Sequence, residues 1–173
     1  MATDGRDEAI IDASVLLNFL KIDRVGLLGK HPTYRFIVVD MVKNEVTKRG
    51  QITRLDAAFL AGYLVADGPP ETISQDELAT FADLTSRKLG NGDKAVIAAA
   101  YTRGLALAMD DNDAWKIGVA YTTSIRREDT VSVVVALIKA GVLTVHEADS
   151  IKEDWDKNHR FKKPQFKSYG ELL

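Results

Sequence analysis

The sequence predicts an α/β protein with three layers, α/β/α, around a mostly parallel central sheet. Short, continuously apolar segments alternate with longer segments of helical period along the whole chain. The apolar segments lack polar alternation, which suits strands that are covered on both faces. At 173 residues, we expect a single domain with a core over 9–145 and a C-terminal helix and basic tail over 146–173.

The elements of the first half follow from apolar period and from breaker residues. β-Branched runs indicate strands, apolar residues three and four apart indicate helices, and Gly68-Pro69-Pro70 is a clear breaker. In order, these signals predict a strand at 9–11, a helix capped by Ser14 and extending toward Leu28, a strand at 36–39, a short helix at 42–46 stopping near Gly50, and a longer helix at 55–65.

The second half of the chain continues the alternation of strands and helices. Its clearest element is an alanine-rich helix that Gly104 closes. In order, the predicted elements are a brief strand at 72–74, a helix at 77–88 capped by Asp76, a turn at 90–92, a helix at 94–103 opened by Asp93, a strand at 105–109, a helix at 115–121, an edge strand at 122–125, and a buried helix at 131–140 ending at Gly141.

Composition excludes several kinds of functional site. The chain has no cysteine, so it cannot form a disulfide, a Cys–Zn site, an iron–sulfur cluster or a thiol nucleophile. Its three histidines are scattered and do not have the spacing of a zinc site. The formal net charge of -2 argues against binding of nucleic acid by bulk charge. Metal or acid–base chemistry would therefore depend on carboxylates.

The chain also lacks the signals of export and membrane insertion. Its first ten residues, MATDGRDEAI, are polar and acidic, unlike a signal peptide. The longest apolar stretches are about ten residues, too short to span a bilayer. We expect a cytoplasmic protein that does not contact a membrane.

Acidic residues follow three of the predicted strands: Asp12, Asp40 and the pair Asp110-Asp111. Ligands of parallel α/β sheets gather at the carboxyl ends of the strands. We therefore expect Asp12 and the Asp110-Asp111 pair to share one edge. Glu45, about one helical turn beyond a strand end, can reach the same edge.

Asp93 joins this group by an argument from lengths. The ten-residue helix at 94–103 advances about 15 Å, and the five residues at 105–109 return about 16 Å as a strand. The start of the helix and the end of the strand should therefore be neighbours. Asp93 and Asp111 can then share a site although they are far apart in the sequence.

Gathered carboxylates repel one another unless protons or cations neutralise them. Mg²⁺ and Mn²⁺ prefer oxygen ligands, and such an ion can polarise a phosphoryl oxygen and activate water for phosphodiester cleavage. Each acid also has a simpler interpretation as a helix cap or a solvated charge. Asp40 is interpreted as a cap and Asp113 as a surface acid, and the cap alternative remains open for Asp12 and Asp93.

Four segments resemble, in order and spacing, the motifs of the PIN domain, in particular those of the VapC-like toxin ribonucleases of type II toxin–antitoxin pairs. They are IIDASVL (10–16), VKNEV (42–46), GDKAVIAAA (92–100) and LAMDDNDA (107–114). The chain departs from the family at Met109, where many members have Thr or Ser, and it is longer than the shortest toxins.

The resemblance implies a PIN-like sandwich with Asp12, Glu45, Asp93 and an acid of the Asp110-Asp111 pair around Mg²⁺ or Mn²⁺. Alignment to the final family acid favours Asp111, with Asp110 as a further candidate ligand. The resemblance also implies an RNA substrate, an antitoxin protein that inhibits the enzyme, and a homodimer.

Several basic residues are candidate contacts for RNA phosphates. Lys94 lies beside Asp93, Arg126 and Arg127 are adjacent, and the tail at 159–167 alternates cations with two Phe residues. Cations pair with phosphates and rings can stack on bases. The alternatives are solvated charges and a tail that packs its Phe residues on the domain. Ser14 likewise has two interpretations, a helix cap or a member of the metal-site network.

Three hypotheses about function follow. The leading one is a metal-dependent endoribonuclease, the toxin of a toxin–antitoxin pair, in which Asp12, Glu45, Asp93 and Asp111 hold the ion. The alternative is a PIN-like binding subunit with little or no nuclease activity. The third is a response-regulator-like domain, which would depend on Asp12 and Asp40 and lacks an obvious lysine.

Overall fold

Strands and helices alternate along the chain in the computed structural model, which describes residues 5–85, 87–121, 125–163 and 165–173. The strands are β1 (Asp7–Ile11), β2 (Tyr34–Val38), β3 (Val65–Ala66), β4 (Ala106–Ala108) and β5 (Arg127–Glu128). The helices are α1 (Ala13–Lys21), α2 (Asp40–Glu45), α3 (Arg49–Leu60), α4 (Gln75–Leu84), α5 (Asn91–Arg103), α6 (Asn112–Tyr121), α7 (Thr130–Lys139) and α8 (Val145–Asn158). Short 3-10 helices lie at Val25–Lys30, Pro70–Thr72 and Tyr169–Leu172.

The strands form one sheet in the order β3-β2-β1-β4-β5, and every described strand pair is parallel. Helices flank the sheet, so the predicted three-layer α/β/α architecture is confirmed. The chain adds β2 and β3 on one side of β1 and then crosses to add β4 and β5 on the other. A response-regulator-like sheet has the order 2-1-3-4-5, so that third hypothesis is wrong.

The central strands β1 and β4 are buried on both faces. Ala9, Ile10 and Ile11 are fully buried, and all three residues of β4 are inaccessible or nearly so. This double burial explains why these segments show no polar alternation in the sequence. The helix α5 packs against both strands and ends, as predicted, at Gly104, whose backbone is left-handed (φ 66°).

Several boundaries in the first half differ from the prediction. The predicted Ser14 cap is wrong, because the Asp12 carboxylate caps α1. That helix ends at Lys21, and Leu28 lies in a 3-10 helix instead. The helix predicted at 55–65 already begins at Arg49 and ends at Leu60, and Val65, the last residue of the predicted helix, is instead the first residue of β3.

The second half holds two further corrections. The strand predicted at 72–74 is absent from the described chain, where Ser74, and not Asp76, caps α4 by accepting from the Glu77 N–H at 3.1 Å. Residues 122–124 of the predicted edge strand lie outside the described residues, and the observed edge strand β5 follows them. The buried helix predicted at 131–140 is confirmed as α7, followed by Gly141 with φ 72°.

The C-terminal segment packs its aromatic residues into the body of the protein. Trp155 is fully buried, and its indole N–H donates to the Asn18 carbonyl at 2.9 Å. Phe161 packs edge-on against Trp155, and Phe166 is buried against Tyr169. The alternative of a packed tail is therefore confirmed, and these rings are not free to stack on bases. None of the described helices is both long and apolar enough to cross a bilayer.

Candidate functional site

The candidate site lies between β1 and β4, where the order of the strands in the sheet reverses. Asp12 directly follows β1, and its backbone N–H donates to the Ala108 carbonyl of β4 at 2.8 Å. Asp110 and Asp111 come two and three residues after Ala108. The acids predicted to share an edge therefore do so, at the topological switch point where ligands of such sheets bind.

The Ser14 hydroxyl connects the two strand ends. Asp12 is 3% exposed, and its Oδ2 accepts from the Ser14 backbone N–H at 3.0 Å and from the Ser14 hydroxyl at 2.5 Å. The same hydroxyl oxygen accepts from the Asp110 backbone N–H at 3.1 Å. Of the two interpretations of Ser14, the structure thus supports membership of the site network. The orientation of Asp12 depends on this hydroxyl.

The Glu45 carboxylate lies against a glycine of the third motif segment. It is the last residue of α2, and Gly92 lies in the first turn of α5. A Cβ atom added to Gly92 would lie 1.8 Å from Glu45 Oε1 and 2.8 Å from its Cδ. The Glu45 carboxylate therefore occupies the space that a side chain at position 92 would take. The sequence predicted a turn at 90–92. In the structure Gly92 lies in the first turn of α5, and its lack of a side chain leaves room for the Glu45 carboxylate.

Asp93 is both a helix cap and a member of the acidic group. Its Oδ2 accepts from the Gly90 N–H at 3.1 Å, which completes the first turn of α5. Burial raises the pKa of Asp93, and the charges of Asp12 and Asp111 raise it further, while the Gly90 N–H lowers it. Asp12 and Asp111 therefore lie near enough to Asp93 for their charges to act on it.

The charge of Asp12 also acts on Glu45, together with that of Asp93. Burial raises the pKa of Glu45, and Asp12 and Asp93 add to the rise. Like charges disfavour one another's ionised form when they are close. The structure therefore brings together Asp12, Glu45, Asp93 and Asp111, which we call the acidic cluster.

The two adjacent acids after β4 turn in different directions. Asp111 is exposed, and its Oδ1 accepts from the N–H groups of Asp113 and Ala114 at 2.8 and 3.0 Å, at the start of α6. Asp110 faces inward: its Oδ1 accepts from the Thr130 N–H at 2.9 Å, and its Oδ2 from the Thr130 hydroxyl at 2.6 Å. Burial raises the pKa of Asp110, and the hydrogen bonds from Thr130 oppose this.

Two residues of this inward network were missed by sequence reasoning. Asn18 is 3% exposed and Thr130 is fully buried. The Asn18 amide donates to Asp110 Oδ2 at 3.0 Å and to the Thr130 hydroxyl at 3.1 Å. An amide between Leu17 and Phe19 on an otherwise apolar helix was the available signal, because a buried polar group requires partners.

The basic residues suggested as RNA contacts are engaged within the protein. Lys94 is buried, with its ammonium 3.4 Å from Asn91 Oδ1 and above the Phe81 ring. Arg127 donates to the Met109 carbonyl and stacks on a Trp ring. Arg126 pairs with an acid of β1 at 3.3 Å. None of the three is therefore simply a solvated charge.

The acidic cluster is not arranged as a finished coordination sphere. Within the parts of the chain that the structure describes, no group of three or more Asp, Glu or His side chains is placed to hold a metal ion. The donor chemistry nevertheless fits a hard divalent cation, since all the ligands are oxygens and their mutual repulsion is relieved by positive charge. Glu45 and Asp111 are exposed, so rotation of their side chains can bring the carboxylates together.

Two solved structures of VapBC proteins are similar to this chain. VapBC-1 from nontypeable Haemophilus influenzae is 13% identical, with 71% of this chain and 98% of that chain covered and a TM-score of 0.50. VapBC2 from Rickettsia felis, solved bound to a DNA fragment from their promoter, is 12% identical, with 70% and 98% covered and a TM-score of 0.49. The likeness to the first of these supports the fold. No curated protein matches the chain.

A protein-family model gives the assignment. The model described as DUF3368, PIN domain, matches residues 8–166. This range contains all four motif segments and every acid of the cluster. The chain therefore belongs to the PIN-domain family.

Proposed function

We propose that this protein is a metal-dependent endoribonuclease that cleaves RNA phosphodiester bonds. The observation that carries the proposal is that Asp12, Glu45, Asp93 and Asp111 lie near the switch point between β1 and β4, although their carboxylates do not converge on one point. PIN domains are generally nucleases that use divalent metals. We assign these four acids as catalytic residues that hold Mg²⁺ or Mn²⁺.

The bound ion, Ser14 and the acids have separate roles in this proposal. A bound divalent ion would polarise the scissile phosphoryl group and lower the pKa of water near it. Ser14 holds the Asp12 carboxylate in one orientation through two hydrogen bonds. Glu45 and Asp93, whose pKa values are raised, must lose their protons before they can serve as ligands. Activity should therefore fall toward acidic pH.

We assign Asp110 to positioning and not to ligation. Its two oxygens are bound by Thr130 and Asn18, and its backbone N–H holds the Ser14 hydroxyl. It thereby fixes the group that orients Asp12. Asp111 remains as the acid of this pair that takes part in the cluster.

We further propose a toxin role on the basis of the four motifs that resemble VapC-like toxins. In this proposal the substrate is cytoplasmic RNA, an antitoxin protein inhibits the enzyme, and the chain forms a homodimer. Co-purification with a small protein encoded beside it would support this role. Growth unaffected by its expression without that protein would contradict it.

Cleavage of single-stranded RNA tests the enzymatic proposal. We expect cleavage that requires Mg²⁺ or Mn²⁺ and is lost in Asp12→Asn and in Asp93→Asn. The matched control is Asp113→Asn, an exposed acid beside Asp111 that pairs with Lys116 at 3.0 Å, and it should retain activity. Wild-type cleavage by both cluster variants would overturn the proposal.

A PIN-like binding subunit is the second candidate function. The observation that favours it is that the acids do not converge on one point as they stand. Calorimetric titration of the folded protein with Mn²⁺ distinguishes the two. Heat that disappears in Asp12→Asn supports the nuclease, and no heat at millimolar Mn²⁺ supports the binding subunit.

A further inference from the structure

A groove of about 610 Å³ lies between the end of α1, the first turns of α3 and the end of α8. Four of its lining residues are Lys or Arg, one is His, and none is acidic. We call this surface the basic groove, and its basic residues are Lys21, Lys48, Arg54, His159 and Arg160. Such a concentration of cations contrasts with the formal net charge of -2 of the chain.

Most of this positive charge is available to a ligand. Arg54 contacts Asp23 at 3.1 Å, and His159 lies 3.8 Å from an acid of α8. No acid pairs with Lys21, Lys48 or Arg160 among the residues that the structure describes. Like charges that lie close together repel one another, so a ligand with several anionic groups would be attracted to the groove.

The basic groove lies within reach of the acidic cluster. Lys48 is three residues beyond Glu45, a span of at most about 10 Å. Lys21 ends α1, whose nine residues rise about 13 Å from Asp12. At about 3.4 Å per nucleotide of a stacked strand, these distances correspond to three or four phosphates. A strand at the cluster would thus place its next phosphates in the groove.

The acidic cluster itself repels a polyanion, so a nuclease with these acids needs positive charge nearby. Among the other candidates, Lys94 is buried, Arg127 donates to the Met109 carbonyl, and Arg126 forms an exposed ion pair with an acid of β1. A groove that tracks the phosphate backbone is a known means of holding single strands without sequence preference. We propose that the basic groove binds the phosphodiester backbone of the RNA strand whose scissile bond lies at the acidic cluster, a proposal that rests on the function proposed above.

Salt-dependent binding tests this proposal independently of cleavage. The probe is a fluorescent single-stranded RNA of about twelve nucleotides, and all proteins carry Asp12→Asn to prevent cutting. The groove variant is Lys48→Gln/Arg160→Gln, because both residues are exposed. The matched control is Lys30→Gln/Lys139→Gln, which removes the same charge from two exposed lysines that do not line the groove, at the ends of a 3-10 helix and of α7.

We expect the groove variant to bind RNA more weakly than the control. Each lost phosphate contact lowers the slope of log K against log salt by about 0.7, so the slope should fall by about 1.4. Between 50 and 200 mM salt, the defect of the variant should therefore shrink by about sevenfold. The control should show the affinity and slope of the unmodified protein.

The outcomes separate this proposal from the function on which it rests. Equal RNA affinity and equal salt slope in the groove variant and the control would overturn the groove as an RNA site. Loss of polyglutamate binding in the groove variant alone would assign the groove to an acidic protein segment instead. Groove-dependent RNA binding by a wild-type chain that does not cleave RNA would overturn the nuclease and support the groove. In an active enzyme, the groove variant should raise the KM for the long RNA while leaving cleavage of a dinucleotide unchanged.

Discussion

Replacing Gly92 with alanine should remove activity while leaving the fold intact. Gly92 is buried in the first turn of α5, and its backbone has an ordinary helical conformation that alanine adopts readily. The only severe conflict of the new methyl group is with the Glu45 carboxylate, the far end of a flexible and exposed side chain. The protein can therefore accommodate the change by turning Glu45 away.

The size of the effect follows from the distances. Glu45 Oε1 lies 1.8 Å from the position of the added Cβ and must retreat by more than 1 Å to reach an acceptable contact. A displacement of about 1 Å of a catalytic group can cost about 10²-fold in rate. Alanine is favoured over glycine in a helix by up to about 1 kcal/mol. We thus expect cleavage about 10²-fold slower, in a protein at least as stable as the wild type.

RNA cleavage rates and thermal unfolding together check this prediction. The control is Gly118→Ala, since Gly118 is also a buried helical glycine but its added Cβ would only touch Ile97, at 3.5 Å. The double variant Gly92→Ala/Glu45→Gln should be no slower than Glu45→Gln alone, because both changes act on one carboxylate. Full activity of Gly92→Ala in a folded protein would show that the position of Glu45 is not part of catalysis.

Three further predictions concern stability. Burial and neighbouring acids raise the pKa of Asp93, so its contribution to stability is lost as pH rises through that pKa. Asp93→Asn should therefore raise Tm at pH 7 without metal. Equal Tm values for the variant and the wild type would contradict this. His31 is buried, its Nδ1 accepts hydrogen bonds from two backbone N–H groups, and burial lowers its pKa to about 4. The free energy of unfolding should therefore fall by about 3 kcal/mol from pH 6.5 to pH 4. Denaturant titrations at both pH values should show a smaller fall in His31→Asn. Arg103 forms paired hydrogen bonds of 2.8–2.9 Å with both Asp67 and Glu77. Arg103→Ala should therefore lower the free energy of unfolding in urea by about 3 kcal/mol, and Arg103→Lys should recover part of this loss. A loss below 1 kcal/mol in Arg103→Ala would refute the role of this pairing.

The acids at the ends of strands were predictable because they follow from a general rule. Asp12 and the Asp110-Asp111 pair each follow a buried apolar run, and the carboxyl ends of parallel strands share an edge. The distance between Asp93 and Asp111 followed from the rise per residue of a helix and a strand. These inferences needed only local pattern and the assumption of a parallel sheet.

Other features depend on contacts that local pattern does not contain. The strand β3 has two residues and no period, so Val65 was assigned to the preceding helix. Asn18 reaches Asp110 and Thr130 across 92 and 112 residues of sequence, and no spacing indicates such partners. The direction in which Asp110 and Asp111 turn also depends on Thr130, which offers two donors on the inner side.

The outer strands β3 and β5 are each two residues long. An open sheet normally exposes unpaired N–H and C=O groups that invite strands from other molecules, and very short outer strands limit this hazard. Over the described residues, the sheet therefore offers little template for edge-to-edge aggregation. The homodimer proposed above would therefore have to form through side chains on the helices, and its association would be sensitive to surface substitutions and not to strand register.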